Sequence, residues 1–247
     1  MSKHFELMQQ IEKEQVQEVS DSRVRCSDFT ENGNQSESIW TNDEAQRLVQ
    51  QLFAFQVKEP PRTVTFAGID HGNGCSRISA AVAETLAKNN RGRRVCLVEA
   101  NFRSPALPGM FGVPNHFGLT EALLRDEAVS QFAKPLPQQN LWLLSSGTLA
   151  VDSPSLLASE QLRTRIAELR QEFDFVIVDA PPLNRYSDGI VLGQLSDGLV
   201  LVIEANTTRR EAAAAVTQNL QAAKVPILAA VLNKRTFPIP ESIYKIL

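Results

Sequence analysis

Residues 62–82 constrain the fold more than any other part of this chain. They are laid out as a strand, a glycine-rich loop and the start of a helix. A loop of this kind wraps phosphate groups with its backbone N–H groups, so it needs glycines where a side chain would block the approach, and Gly72 and Gly74 meet that need. The segment therefore predicts a nucleotide-binding fold of the phosphate-loop type.

The same loop lacks its lysine. A phosphate loop places a Lys ammonium on the β- and γ-phosphates and, at the next position, a Ser or Thr hydroxyl on the magnesium ion. Cys75 and Ser76 occupy these two positions, and Asp70 adds a carboxylate just before the loop. Removing the ammonium forfeits charge-assisted hydrogen bonds of roughly 1.5 to 3 kcal/mol for binding, and more in a charged transition state. The chemistry of the loop is therefore predicted to be damaged.

No neighbouring side chain clearly replaces that cation. Arg77 lies two helical residues after Cys75, a rotation of about 200°, so it is expected to point away from the direction of Cys75. Cys75 itself could be a low-pKa nucleophile at a helix N-terminus. A tolerated small replacement is favoured, because no His stands at a position that would pair with the thiol. His71, also in the loop, is interpreted as a solvent-facing turn residue.

Composition excludes several function classes. A chain of 247 residues that is 43% hydrophobic and 21% charged can form one sizeable α/β domain. A net charge of -3 and scattered Lys and Arg residues argue against a nucleic-acid partner. The three cysteines fit neither a metal-ligand spacing nor a disulfide framework, which predicts a reducing, cytoplasmic location. No apolar run approaches the roughly 18 residues that span a bilayer, so membrane association is expected only through a partner.

The chain divides into a tail and a domain. Residues 1–40 are polar and poor in aromatics, which predicts a disordered tail. Residues 41–247 form the predicted domain, which begins with a helix from Thr41 or Asn42 through Phe55. Strands are predicted at residues 62–69, 94–100, 141–145, 175–178, 198–204 and 226–232, and helices at 78–88, 117–124, 154–172, 187–195 and 209–223.

This alternation predicts a mostly parallel, doubly wound sheet with helices on both faces. Ligands of such sheets bind at the carboxyl ends of the strands. Gly72, Glu99, Asp179 and Asn233 each follow a predicted strand closely. They are therefore expected to share one edge of the sheet.

Five segments carry a family resemblance. They are residues 173–182 (FDFVIVDAPP), 187–189 (SDG), 197–202 (DGLVLV), 208–211 (TRRE) and 232–234 (LNK). In this order they resemble the cytoplasmic tyrosine autokinases of bacterial capsule and exopolysaccharide synthesis, within the P-loop ATPases that include partitioning and cell-division ATPases. The resemblance covers about residues 41–247 and implies the P-loop NTPase fold.

The resemblance implies catalytic roles for three residues. Asp179 matches the family aspartate that holds magnesium through water, with Ser76 as the second metal residue, although a carboxylate there could merely cap the next turn. The second Walker motif normally has two aspartates separated by one residue, and Glu99 and Asn101 stand there instead. Asn101 is neither a general base nor an anionic metal ligand. Metal geometry and nucleophile activation are both expected to be impaired.

The resemblance also implies binding and assembly residues. The nucleotide site would comprise Gly72, Asn73, Gly74, Cys75, Ser76, Arg77 and Asn233. Asn233 either hydrogen-bonds the adenine edge or caps its strand, and both alternatives stay open. Glu44 and Arg47 resemble the first two residues of the family's Glu-x-x-Arg-x-x-Arg assembly motif, with Gln50 in the last place. They imply a homo-oligomer whose assembly is weakened or altered. An ordinary solvated helix face explains Glu44 and Arg47 almost as well.

Together these features predict a catalytically degenerate member of the family. It would act as a scaffold or regulator of a membrane-anchored polysaccharide copolymerase or export protein, or of an active kinase paralogue, at the inner face of the membrane. The tyrosine-rich acceptor tail of the family is reduced to Tyr244, and residues 237–244 look like an apolar docking segment. This interpretation requires no cofactor. The alternative is an active protein-tyrosine kinase or ATPase that binds Mg-ATP or ADP.

Overall fold

The computed structural model describes residues 41–54, 60–90, 92–148 and 153–235. Three predicted features lie outside them. These are the polar tail of residues 1–40, the end of the first helix at Phe55, and the docking segment of residues 237–244 with Tyr244.

One sheet forms the centre of the fold. Within the described residues its seven strands are β1 (Thr63–Gly68), β2 (Val95–Glu99), β3 (Lys134–Pro135), β4 (Leu141–Leu144), β5 (Phe175–Ala180), β6 (Gly198–Glu204) and β7 (Ile227–Asn233). Their order is β3-β4-β2-β5-β1-β6-β7, and only the pairing of β3 with β4 is antiparallel. β1, β2 and β5 are buried throughout, as strands covered on both faces should be. The predicted mostly parallel sheet is confirmed.

Helices cover both faces of this sheet. They are α1 (Asn42–Val49), α2 (Cys75–Asn89), α3 (Leu107–Phe111), α4 (Leu119–Leu124), α5 (Ser153–Leu157), α6 (Glu160–Glu172), α7 (Asp188–Leu195) and α8 (Arg210–Ala222). One hydrophobic cluster joins the sheet to α1 and α2 through residues such as Leu48 and Leu86. A second cluster joins it to α6, α7 and α8 through Ile166, Leu192 and Leu220. The doubly wound architecture is therefore confirmed.

Two helix predictions differ from the structure. The single helix expected over residues 154–172 is two helices, because the Ser159 hydroxyl accepts a hydrogen bond from the Leu162 N–H and starts α6 afresh. The first helix begins as predicted, with Thr41 as N-cap, but its α-helical part ends at Val49 and continues as a π-helical turn over Gln50–Ala54. Neither difference moves the predicted site.

The carboxyl ends of the strands place the polar residues of the sequence pattern side by side. β1 lies between β5 and β6, so the glycine-rich loop that follows it stands next to both strand ends. Glu99 on β2 pairs in register with Asp179 on β5. Glu204 on β6 pairs in the same way with Asn233 on β7. The predicted shared edge is therefore observed.

Candidate functional site

The glycine-rich loop has the shape of a phosphate cradle. Gly72 and Gly74 have φ angles of 83° and 84°, in the left-handed region that favours glycine. A Cβ on Gly72 would meet no atom within 4 Å. The loop opens onto a cavity of about 260 Å³ that is also lined by Asn101, Ser104 and Met110. The sequence predicts the loop and Asn101 here, whereas Ser104 and Met110 carried no site signal.

Glu99 is a structural carboxylate. Its side chain is fully buried. One oxygen, Oε2, accepts hydrogen bonds from the backbone N–H groups of Ala106 at 2.8 Å and Leu107 at 2.9 Å, and Oε1 accepts from the Asn101 N–H at 3.2 Å. Burial and the neighbouring Asp179 charge raise the pKa of Glu99 well above its usual value, while these backbone N–H groups lower it. Glu99 therefore fixes the chain between β2 and α3.

Asp179 is buried without such partners. Its side chain is fully buried, and neither carboxylate oxygen has a hydrogen-bond partner within the described residues. Burial raises the pKa of Asp179 from 3.8 to about 6. The Ser76 hydroxyl and the Cys75 thiol face the carboxyl and oppose that rise, although neither completes a well-formed hydrogen bond with it. A buried carboxylate with free lone pairs is suited to receive a cation.

Cys75 is a poor nucleophile in this setting. Burial, followed by the charges of Asp179 and Glu99, raises the pKa of the Cys75 thiol well above its usual value. Burial and two nearby carboxylates together thus outweigh the favourable end of the α2 dipole. The neutral thiol supports the interpretation of Cys75 as a small replacement for lysine.

The cations near the loop do not pair with Asp179. Arg103 forms an ion pair with Asp188 at 3.2 Å, and its guanidinium lies 3.8 Å from the ring centroid of Tyr186. Arg77 is exposed on the rim of the cavity. Within the described part of the chain, no ion pair joins Asp179 to any cation.

The remaining polar residues of the cavity make local contacts. The Asn101 side-chain oxygen accepts a hydrogen bond from the Ser104 N–H at 3.3 Å, which stabilises the turn after β2. The Asn184 amide donates to the Asp70 carboxylate, so this loop residue is tied to the turn after β5. His71 is exposed, as the solvent-facing interpretation predicts. None of these contacts creates a general base.

Asn233 lies behind the loop. Its amide donates a hydrogen bond to the Asn73 carbonyl oxygen at 2.8 Å, and it is not among the residues that line the cavity. A Cβ on Gly74 would come within 2.4 Å of the Asn233 amide nitrogen, so the two residues are in close contact. This geometry favours the strand-terminal role of Asn233 over contact with an adenine ring.

Glu44 and Arg47 lie on a different element, the exposed face of α1. The Glu44 carboxylate accepts a hydrogen bond from the Thr41 N–H at 2.8 Å, and the Thr41 hydroxyl accepts one from the Glu44 N–H at 3.3 Å. This capping box gives Glu44 a local role. Their part in assembly stays a prediction.

Comparisons with known proteins identify the family. The chain is 30% identical over 193 residues to the tyrosine-protein kinase YwqD of Bacillus subtilis (strain 168), which covers 78% of this chain and 81% of that protein. This chain belongs to the bacterial tyrosine-protein kinase family. The kinase domain of VpsO superposes with a TM-score of 0.72 at 26% identity, covering 79% of this chain and 95% of that one.

The kinase domain of Escherichia coli tyrosine kinase ETK superposes with a TM-score of 0.74 at 21% identity, covering 90% of this chain and 89% of that one. No protein-family model matches this chain. The kinase-domain neighbours nevertheless confirm the fold that the resemblance implied.

A magnesium-bound nucleotide is the group that the kinase family implies, and the site fits it in part. The glycines and the N-terminus of α2 suit phosphate groups, and Asp179 with Ser76 suits a hydrated magnesium ion. Among the described residues no group of three or more His, Cys, Asp or Glu side chains could hold a metal ion. The ion would therefore need ligands from the nucleotide and from water. The position that should neutralise the phosphates holds a thiol.

Proposed function

We propose that this kinase-family member is catalytically degenerate and acts in exopolysaccharide or capsule biosynthesis. Its role would be that of a scaffold or regulator of a membrane polysaccharide chain-length or export protein. One observation carries the proposal: the uncharged Cys75 thiol, where the family places lysine, faces the buried Asp179 carboxylate, whose oxygens have no partner in the described residues.

The electrostatics of the cavity support loss of turnover more strongly than loss of binding. The cavity is lined by the Asp70 carboxylate, and the buried Asp179 carboxylate lies beside Cys75, where the family places a lysine ammonium. Backbone N–H groups at the start of α2 still attract phosphate. Transfer of a phosphoryl group also needs stabilisation of the charge that develops in the transition state. The missing ammonium therefore lowers the rate of transfer more than it lowers the affinity for nucleotide. Asn101 supplies no base.

A scaffold needs contact surfaces rather than chemistry. None of the described helices is both long and apolar enough to cross a bilayer. The proposed membrane contact is with a membrane-anchored partner. The exposed α1 face with Glu44 and Arg47 is the proposed surface for a second copy or for an active kinase paralogue. Nucleic acid is not a proposed partner.

Calorimetric titration with Mg-ATP and Mg-ADP tests the proposal. The natural protein is expected to show no binding in the micromolar range, and Cys75→Lys is expected to gain it, because the new ammonium neutralises the phosphates. Cys75→Ser is the matched control, since it changes the same side chain without adding charge, and it should behave like the natural protein. Micromolar binding and ATP hydrolysis by the natural protein would contradict the proposal.

A second assay addresses the scaffold role directly. In the source bacterium, an allele carrying Asp179→Asn should restore polysaccharide output to the natural level after deletion of the gene, because a scaffold needs no turnover. An allele with charge reversal at Arg47 should not restore it. If Asp179→Asn abolishes output while the protein accumulates normally, the chain acts as an enzyme.

An active protein-tyrosine kinase or ATPase is the second candidate. It is favoured by the intact glycine cradle and by the unpartnered Asp179 carboxylate, which is suited to a cation. Release of inorganic phosphate and phosphorylation of Tyr244 are its readouts, and both should disappear in Asp179→Asn.

A further inference from the structure

Asn73, between the two cradle glycines, has a side chain turned into the protein. The residue is only 1% exposed. Its side-chain oxygen accepts a hydrogen bond from the Asp70 N–H at 2.6 Å, and its amide donates to the Glu204 carboxylate at 3.3 Å. Its backbone carbonyl accepts the amide of Asn233 at 2.8 Å. Three bonds thus converge on the middle residue of the phosphate loop.

The groups that hold Asn73 are themselves fixed. Glu204 ends β6 and Asn233 ends β7, and the two residues are paired in register. The Glu204 carboxylate also forms an ion pair with Lys234 at 3.4 Å and accepts a hydrogen bond from the Thr207 hydroxyl at 3.3 Å. The loop is therefore joined to the ends of two strands rather than to β1 and α2 alone.

We infer that Asn73 is a positioning residue that holds the phosphate loop in its cradle shape without a ligand. A loop with two glycines at positive φ has much conformational freedom to lose, and a bound phosphate usually compensates for that loss. Here three hydrogen bonds of the buried Asn73, one of them to a carboxylate, hold the loop instead. Asparagine suits the position because one side chain supplies both the acceptor for Asp70 and the donor for Glu204.

This inference goes beyond the proposed function, because it concerns the protein without nucleotide. It holds whether or not the site turns over ATP. A loop ordered by its own side chains has its cradle shape before any nucleotide binds.

A paired substitution tests the role of Asn73. Asn73→Asp keeps the acceptor for Asp70 but places a carboxylate against Glu204, so the two side chains repel each other and the loop is released. Adding Glu204→Gln to the same chain restores a donor opposite the introduced carboxylate and is expected to return the loop to its natural state. Glu204→Gln alone is the matched control, because its amide oxygen still accepts from Asn73.

Hydrogen exchange of the nucleotide-free protein gives the readout. The Asp70 amide is expected to exchange about tenfold faster in Asn73→Asp and at nearly the natural rate in the double variant. Amides of α6 should not change in any variant, which separates loop release from global unfolding. If Asn73→Asp does not fold, Asn233→Ala, which removes only the bond to the Asn73 carbonyl, should accelerate the same amide. The inference is overturned if the Asp70 amide of the measured variant exchanges at the rate of the natural protein. It is also overturned if Glu204→Gln does not restore the natural rate in Asn73→Asp.

Discussion

Replacing Asp179 by asparagine should stabilise this protein at neutral pH. The pKa of Asp179 rises from 3.8 to about 6 on folding, because the carboxyl is buried. The folded state therefore binds the proton more tightly than the unfolded state, and ionising Asp179 costs stability. The penalty is small at pH 4, grows as the pH rises from the unfolded pKa of 3.8 to the folded pKa of about 6, and is complete at pH 8. A shift of this size corresponds to about 3 kcal/mol.

Asp179→Asn removes the charge while keeping the shape of the side chain. At pH 8 the variant should be more stable by up to about 3 kcal/mol, which corresponds to a rise in Tm of roughly 6 to 12 °C for a domain of this size. Near pH 4 the two proteins should have equal stability. Urea unfolding at both values of pH, with chelator and without nucleotide, measures the difference.

The control is a carboxylate whose pKa shifts in the opposite direction on folding. Asp197 is half-buried, which raises its pKa, but hydrogen bonds from the Thr63 and Arg62 N–H groups and the Arg170 guanidinium outweigh burial and hold the pKa below its usual value. Its contribution to stability is present at neutral pH and is lost as the pH falls. Asp197→Asn should therefore destabilise at pH 8. If Asp179→Asn also destabilises at pH 8, or keeps the natural pH dependence, the Asp179 carboxylate is not an unpaired buried charge.

Two further predictions follow from the loop. Burial and the Asp179 charge raise the pKa of the Cys75 thiol, so iodoacetamide should alkylate Cys75 more slowly at pH 8 than it alkylates an unfolded control. The reaction should be faster in Asp179→Asn, and peptide mass spectrometry measures both rates. Gly74→Ala should lower the free energy of unfolding in urea by about 2 kcal/mol more than Gly72→Ala does. Both substitutions strain the backbone, but only a Cβ at position 74 meets the Asn233 amide, at 2.4 Å. Equal losses would rule out the close contact.

The sequence predicts the sheet well because its central strands are short apolar runs that end in polar residues. Phe175 to Val178 cannot be anything but buried, and the following Asp179 marks the carboxyl edge. Local breaks were harder to predict. The break at Ser159 depends on one capping hydroxyl inside a continuous helical periodicity, and the two-residue strand Lys134–Pro135 exists only because β4 lies beside it. Hydrophobic periodicity predicts neither the helix break at Ser159 nor the short strand Lys134–Pro135.

The candidate site was predicted by position rather than by role. The shared edge and the two left-handed glycines follow from motif spacing, which sets the backbone. The partners of each side chain do not. Nothing in the spacing shows that Glu99 accepts backbone N–H groups or that Asn73 turns inward to Glu204. Such contacts join residues far apart in the sequence, so they depend on tertiary packing that a local pattern does not contain.

The two buried carboxylates differ in a way that bears on the loss of the lysine. Glu99 receives three backbone N–H groups, which partly oppose the rise in its pKa that burial and the Asp179 charge cause. Asp179 receives no such bond from the described residues, so its ionised form is disfavoured until a cation arrives. A lysine at position 75 would supply that cation permanently and would stabilise the empty site. With a thiol at position 75, the Asp179 charge stays unpaired until a cation or a proton binds. Cys75→Lys should therefore change the stability of the empty protein and its affinity for nucleotide together.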